Sequence, residues 1–204
     1  NLIPFDNAKS WIAKTWEIKN DQNISLETYA SAGGIQSLYS NYAKIPFKRL
    51  QQDSVYADII FSRALGNEEA ALLTFAEVSA YMAKLIFERL ETIYSGWQNR
   101  YEFMDPDRDN LKVNHPYRKT LLDRIIIGQR LGKLLDKSRE PMLLWEPFQR
   151  DLYKNIEQSK TLTLEAKDHY LEENNLKKNL IMISKLDHAP VLGAGIAATH
   201  KIHH

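Results

Sequence analysis

The chain has 204 residues, with 27 Lys and Arg against 26 Asp and Glu, 44% hydrophobic residues and no cysteine. The lack of thiols excludes a disulfide scaffold, a cysteine nucleophile and a thiolate-bound zinc or iron–sulfur centre. A formal net charge of +1 excludes a generally basic nucleic-acid coat, and the apolar fraction is ample for a packed core.

The length fits one domain, and no Gly-, Ser- or Pro-rich linker divides it. The expected organisation is a single helical domain over 1–190 and an irregular tail over 191–204. The chain begins at Asn1, which reads as a processed or trimmed N-terminus. It lacks the basic start and apolar middle of a secretory signal. No apolar run approaches the roughly 20 residues that span a bilayer, so no transmembrane segment is expected. A soluble protein of the cytoplasm or an organelle interior is the reading. The terminal His200-Lys201-Ile202-His203-His204 reads as a frayed tail or tag, with a His-rich metal site as the alternative.

Taken in order, Asp6 caps a first helix to about Asn20, with Trp11, Ile12 and Trp16 on one face. The polar turn Asn20-Asp21-Gln22-Asn23 leads to a helix from about Ser25 to Ala43, which Gly33-Gly34 kinks or breaks. Pro46 suits the first turn of a third helix carrying Leu50, Val55, Ile59, Ile60 and Leu65, ended by a left-handed Gly66. Asn67 then caps the strongest helix of the sequence, Glu68 to Tyr101 or Met104. Its apolar residues Leu72, Ala76, Met82, Leu85, Ile86, Leu90, Ile93, Tyr94 and Trp97 recur at threes and fours. Gly96 is expected to bend its end.

Asp105 to Asn114 reads as a loop. Pro116 opens a fifth helix to about Ser138, with Leu121, Leu122, Ile125, Ile126, Leu131, Leu134 and Leu135 as its stripe. A sixth starts at Pro141 or Pro147 and holds Leu144, Trp145, Phe148, Leu152 and Ile156. A last helix runs from about Leu164 to Leu186. No segment shows sustained strand alternation. The fold class is therefore all-α: an antiparallel bundle of about six to seven helices around one long central helix.

Few residues point to chemistry. Asp105, Asp107 and Asp109 alternate as calcium ligands do, but Asn110 and Pro116 stand where a calcium loop needs Gly and Glu. Glu165 and His169 share a helix face; a metal would need two more ligands, of which Glu172 or Glu173 could supply one, and a solvated face is the default reading. Glu77, near Lys84 and Glu88, reads as a boundary ion pair, with a buried catalytic carboxylate as the alternative. No cofactor or metal is expected. Seven cations in 117–139 (Arg118, Lys119, Arg124, Arg130, Lys133, Lys137, Arg139) make the fifth helix the most basic element. It is either an ordinary exposed face or a surface for RNA, an acidic partner or an anionic membrane.

Arg108-Asp109, followed by His115-Pro116-Tyr117, resembles the Arg-x(4–6)-His motif of the HEPN ribonuclease family in its His-x-Tyr form. The resemblance covers about ten residues and implies a helical bundle whose paired chains cleave RNA without metal. By that resemblance His115 is general base or acid, Arg108 a phosphate clamp and Tyr117 a supporting contact. The residue types suit such chemistry, since a histidine titrates near neutrality and an arginine offers two parallel donors. Against it, Pro116 disfavours a helical His115, and Arg108 has three acids at hand to pair with.

The leading functional reading is a non-enzymatic assembly subunit working through protein–protein contacts, with a protein partner or a homo-oligomer. Its support is the Trp11/Trp16 face, the Tyr and Trp content and the apolar run Val191 to Ile196. The alternatives are the HEPN-like ribonuclease and a helical module that binds nucleic acid.

Overall fold

The structure, a computed structural model, describes residues 24–96 and 118–186. The expected first helix, the acidic loop and the apolar tail lie outside the described residues.

The expected helix 25–43 is two: α1 (Leu26–Tyr29) and α2 (Ala32–Ala43). Ser31 causes the break. It takes an extended conformation, and its Oγ accepts the Gly34 N–H at 3.0 Å, so the helix restarts there. The paired glycines thus stand in the first turn of α2. A Cβ on Gly34 would lie 2.4 Å from the carbonyl oxygens of Thr28 and Tyr29, so only glycine lets α2 approach α1 this closely.

The expected third helix is also two: α3 (Phe47–Gln52) and α4 (Ala57–Leu65). Ser54 at φ 55 turns the chain between them. Pro46 is the residue before α3, not a member of its first turn. Gly66 sits at φ −80 and is no left-handed cap; Asn67, at φ 62, takes that conformation. Asn67 therefore cannot cap the next helix, and Glu68 holds that position.

Helix α5 (Glu69–Ser95) has 27 residues, a length of about 40 Å. It stops earlier than its pattern suggests. Gly96 has φ 84 and ψ 173, and its N–H bonds the Thr92 carbonyl, so glycine ends the helix where a bend was expected. The buried stripe is Ala71, Phe75, Val78, Met82, Leu90 and Tyr94. Ala76, expected inside, is exposed. Thr74, Ser79 and Thr92 are buried too, each hydroxyl donating to a carbonyl of its own helix.

Among the described residues α5 is the helix long and apolar enough to cross a membrane by length and composition. Here it is the spine of the bundle, packed against α1, α2, α4 and α7 (Trp145–Gln158). Tyr29 stacks on Tyr81, and Phe61 meets Phe75 edge-on. The all-α bundle around one long central helix is what the structure shows.

The sequence reading fails most after residue 117. The expected helix 116–138 is a strand, β1 (Ile125–Ile127), and a shorter helix, α6 (Gln129–Lys137). The expected helix 164–186 ends as α8 (Leu164–Tyr170). Beyond it β2 (Leu171–Glu172) pairs antiparallel with β3 (Asn175–Leu176), and β4 (Ile181–Ile183) pairs parallel with β1. Three consecutive isoleucines lose rotamer freedom in a helix and suit a pleated ribbon. Glu173 and Asn174, both at positive φ, make the two-residue turn that a tight hairpin prefers. The register sets Ile125, Ile126 and Ile127 opposite Ile181, Met182 and Ile183.

Helix α7 follows its expected face: Leu144, Phe148, Leu152 and Ile156 are buried. Pro147 falls in its first turn, where a missing N–H costs no intrahelical bond. Ile59 and Leu65, expected in the core, are 43% and 50% exposed, and Phe61 and Ala64 are buried instead.

Candidate functional site

Arg108, His115 and Tyr117 lie outside the described residues, as do Asp105, Asp107 and Asp109. The other expected groups have definite places. His169 Nε2 is 3.3 Å from the Leu122 carbonyl oxygen and 3.6 Å from an Asp123 carboxylate oxygen. Its neighbour Tyr170, fully buried, accepts the Leu122 N–H through its hydroxyl. The pair ties α8 to the segment before β1. Among the described residues no group of three or more His, Asp or Glu is placed to hold a metal.

Glu77 is half-buried and accepts a 2.6 Å hydrogen bond from the Tyr42 hydroxyl. Its shown partner is a phenol, where an ion pair was expected. The carboxylate holds the Tyr42 proton in place and pushes its pKa up to about 12. Tyr39 is raised as well, first by burial and then by its bond to Glu68, with Arg63 opposing. The buried carboxylate of α5 is Glu91, which accepts from Ser159 Oγ. Ser159 Oγ in turn accepts the N–H groups of Thr161 and Leu162. These bonds lock the end of α7 onto the spine.

The seven cations of 117–139 do not share a helix. Arg118 and Lys119 lie in a turn, where the Lys119 N–H bonds the Tyr94 carbonyl, and Arg124 precedes β1. Arg139 lies over the Trp145 ring and pairs with Asp136. Only Arg130, Lys133 and Lys137 form one stripe, at i, i+3 and i+7 of α6.

That stripe borders a cavity of about 470 Å³ between α6 and the N-terminal ends of α2 and α4. Ala32, Gly33 and Gln36 contribute from α2, Ala57 and Asp58 from α4 and Tyr56 from the residue before it, and buried Leu134 from α6. Asp58 is its one carboxylate, and Lys137 Nζ lies 3.3 Å from it. A wider opening of about 760 Å³ separates α7 from the β2–β3 turn, with Glu146, Arg150, Glu172, Glu173 and Lys178 mixing both signs.

The β1–β4 ribbon is the other distinctive surface. One face, with Ile127 and Ile183, meets α6, where a Cβ on Gly132 would lie 2.8 Å from the Ile127 carbonyl oxygen. The opposite face exposes the register pair Ile126 (68%) and Met182 (39%). Among the described residues neither strand has a second strand neighbour.

Sequence reasoning named the three cations of the cavity but not its other walls. Those walls belong to helices split at Ser31, two residues before the kink or break expected at Gly33-Gly34, and at Ser54, where no break is expected. Comparison of the chain with protein-family models, with curated proteins and with solved structures finds no match.

Proposed function

We propose that this chain is a non-enzymatic assembly subunit, and that copies of it associate through the outer face and open edge of the β1–β4 ribbon. The observation that supports the reading is the exposed pair Ile126 and Met182 on a sheet that has two strands among the described residues. Exposed strand edges template pairing, and monomeric proteins blunt them with charge or proline. Ile125–Ile127 and Ile181–Ile183 contain neither. A net charge of +1 gives two copies little long-range repulsion, which favours a second copy as the occupant.

Sedimentation equilibrium over a range of concentrations tests the reading. In a two-fold interface each substitution acts twice. Losing Ile126 burial at about 1.5 kcal/mol per copy weakens a dimer about hundredfold in Ile126→Lys. A wild-type chain that stays monomeric, or a variant that associates equally well, would refute the proposal. RNA cleavage in excess EDTA that His115→Ala abolishes would replace it with the ribonuclease reading.

A further inference from the structure

We propose that the cavity between α2, α4 and α6 binds a nucleoside polyphosphate. Its volume of about 470 Å³ lies within the range of small-ligand sites. Three cations face one carboxylate there, and Lys137 already neutralises that carboxylate. Arg130 is exposed and carries no ion pair among the described residues, so its planar fork is available for two phosphate oxygens.

The opposite wall fits the same chemistry. Helices α2 and α4 have 12 and 9 residues, and both begin at this cavity. Ser31 Oγ already holds the Gly34 N–H, and the Tyr56 carbonyl the Ile59 N–H; the amides ahead of these have no intrahelical acceptor, and the helix dipoles add attraction for an anion. Gly33 leaves the α2 backbone open: a Cβ there would meet only Ser31 Oγ, at 3.9 Å. Tyr56, a lining residue 52% exposed, supplies an aromatic ring on which a base can stack. With Asp58 counted, the lining keeps a net charge of +2, which suits the several charges of a di- or triphosphate. The bounded cavity fits a discrete molecule better than a continuous strand.

The test is isothermal titration of the full chain at low salt with ATP, pyrophosphate, adenosine and a short single-stranded oligonucleotide. Arg130→Gln combined with Lys133→Gln is compared with a control of equal charge change, Lys160→Gln combined with Lys177→Gln, outside the cavity. All four residues are exposed, so neither pair disturbs the core, and circular dichroism verifies that both variants fold. ATP is expected to bind saturably at one site, about hundredfold more weakly in the cavity variant and unchanged in the control. Pyrophosphate is expected to bind more weakly at the same residues. Four outcomes would overturn the proposal: no saturable ATP binding, equal loss in both variants, adenosine binding as tightly as ATP, or oligonucleotide binding without ATP binding. The site does not depend on the assembly reading, and its failure would leave the sedimentation result untouched.

Discussion

Gly33 and Gly34 are neighbours in one helical turn, yet replacing each with alanine is expected to change stability in opposite directions. Helix propensity alone favours alanine at both, by up to about 1 kcal/mol. At Gly33 the new methyl meets only Ser31 Oγ, at 3.9 Å, so Gly33→Ala should stabilise by about half a kcal/mol near a helix end. At Gly34 it would lie 2.4 Å from two carbonyl oxygens and 2.6 Å from the Tyr29 Cα. All three are backbone atoms, so no side chain can swing away. Overpacking of this kind costs about 3 kcal/mol, and moving α2 also weakens the Ser31 cap, worth about 1 kcal/mol. The net loss after the propensity gain is about 2–3 kcal/mol. For a chain of this length that lowers the melting temperature by about 5–10 °C. Thermal and urea unfolding followed by helical circular dichroism would read it, with the urea slope unchanged if only stability has moved. A Gly34→Ala protein as stable as wild type would refute the close approach of α1 and α2.

Two further outcomes follow from the hydrogen-bond geometry. Ser159→Ala leaves the N–H groups of Thr161 and Leu162 without the Oγ they share and removes a donor from buried Glu91. The expected cost is about 2–3 kcal/mol, and an unchanged urea midpoint would count against the lock between α5 and α7. Tyr42 should lose its proton only near pH 12, against 10.0 for a free phenol. A folded pKa above the unfolded one gives a contribution that is full below pH 10 and lost as pH rises toward 12. Tyr42 is 38% exposed, so solvent screening keeps that contribution small. Ultraviolet tyrosinate titration is the readout, with Glu77→Gln drawing the late transition back toward 10; no shift in that variant would contradict the Glu77 bond.

The long spine and α7 were legible because their apolar residues recur at helical spacing with little competition from turns. The break at Ser54 was not, and the one at Ser31 showed only as a kink or break expected at Gly33-Gly34. Each is made by one polar residue that ends a run whose hydrophobic period continues across it. Ala57, Phe61 and Ala64, for example, keep helical spacing with Leu50 although a turn intervenes. The ribbon was missed for a different reason. Ile125 to Ile127 is a short apolar run, and periodicity cannot tell a strand from a buried helix at that length. Its β-branched content was the available signal. The parallel partner at Ile181–Ile183 lies far along the chain, so only the tertiary fold supplies it. The turn at Glu173–Asn174 carried the same lesson, because a tight left-handed turn can use Asn where glycine is absent.

Helix α6 joins the two proposed surfaces and also keeps them apart. At about 100° per residue, Arg130, Lys133 and Lys137 fall within about 60° of its circumference. Leu134 and Leu135, buried at 3% and 0% exposure, lie to one side of that arc. Gly132 lies well away from it, close against the Ile127 carbonyl oxygen and Ile183. Contact with the ribbon at Gly132 and burial of the two leucines together fix the rotation of α6, and that rotation directs the cations toward the N-terminal ends of α2 and α4. A larger residue at position 132 would push α6 from the ribbon and swing the cationic stripe with it. The short ribbon therefore has a part inside the fold besides the contact proposed for its outer face: its inner face orients the helix whose charges border the cavity.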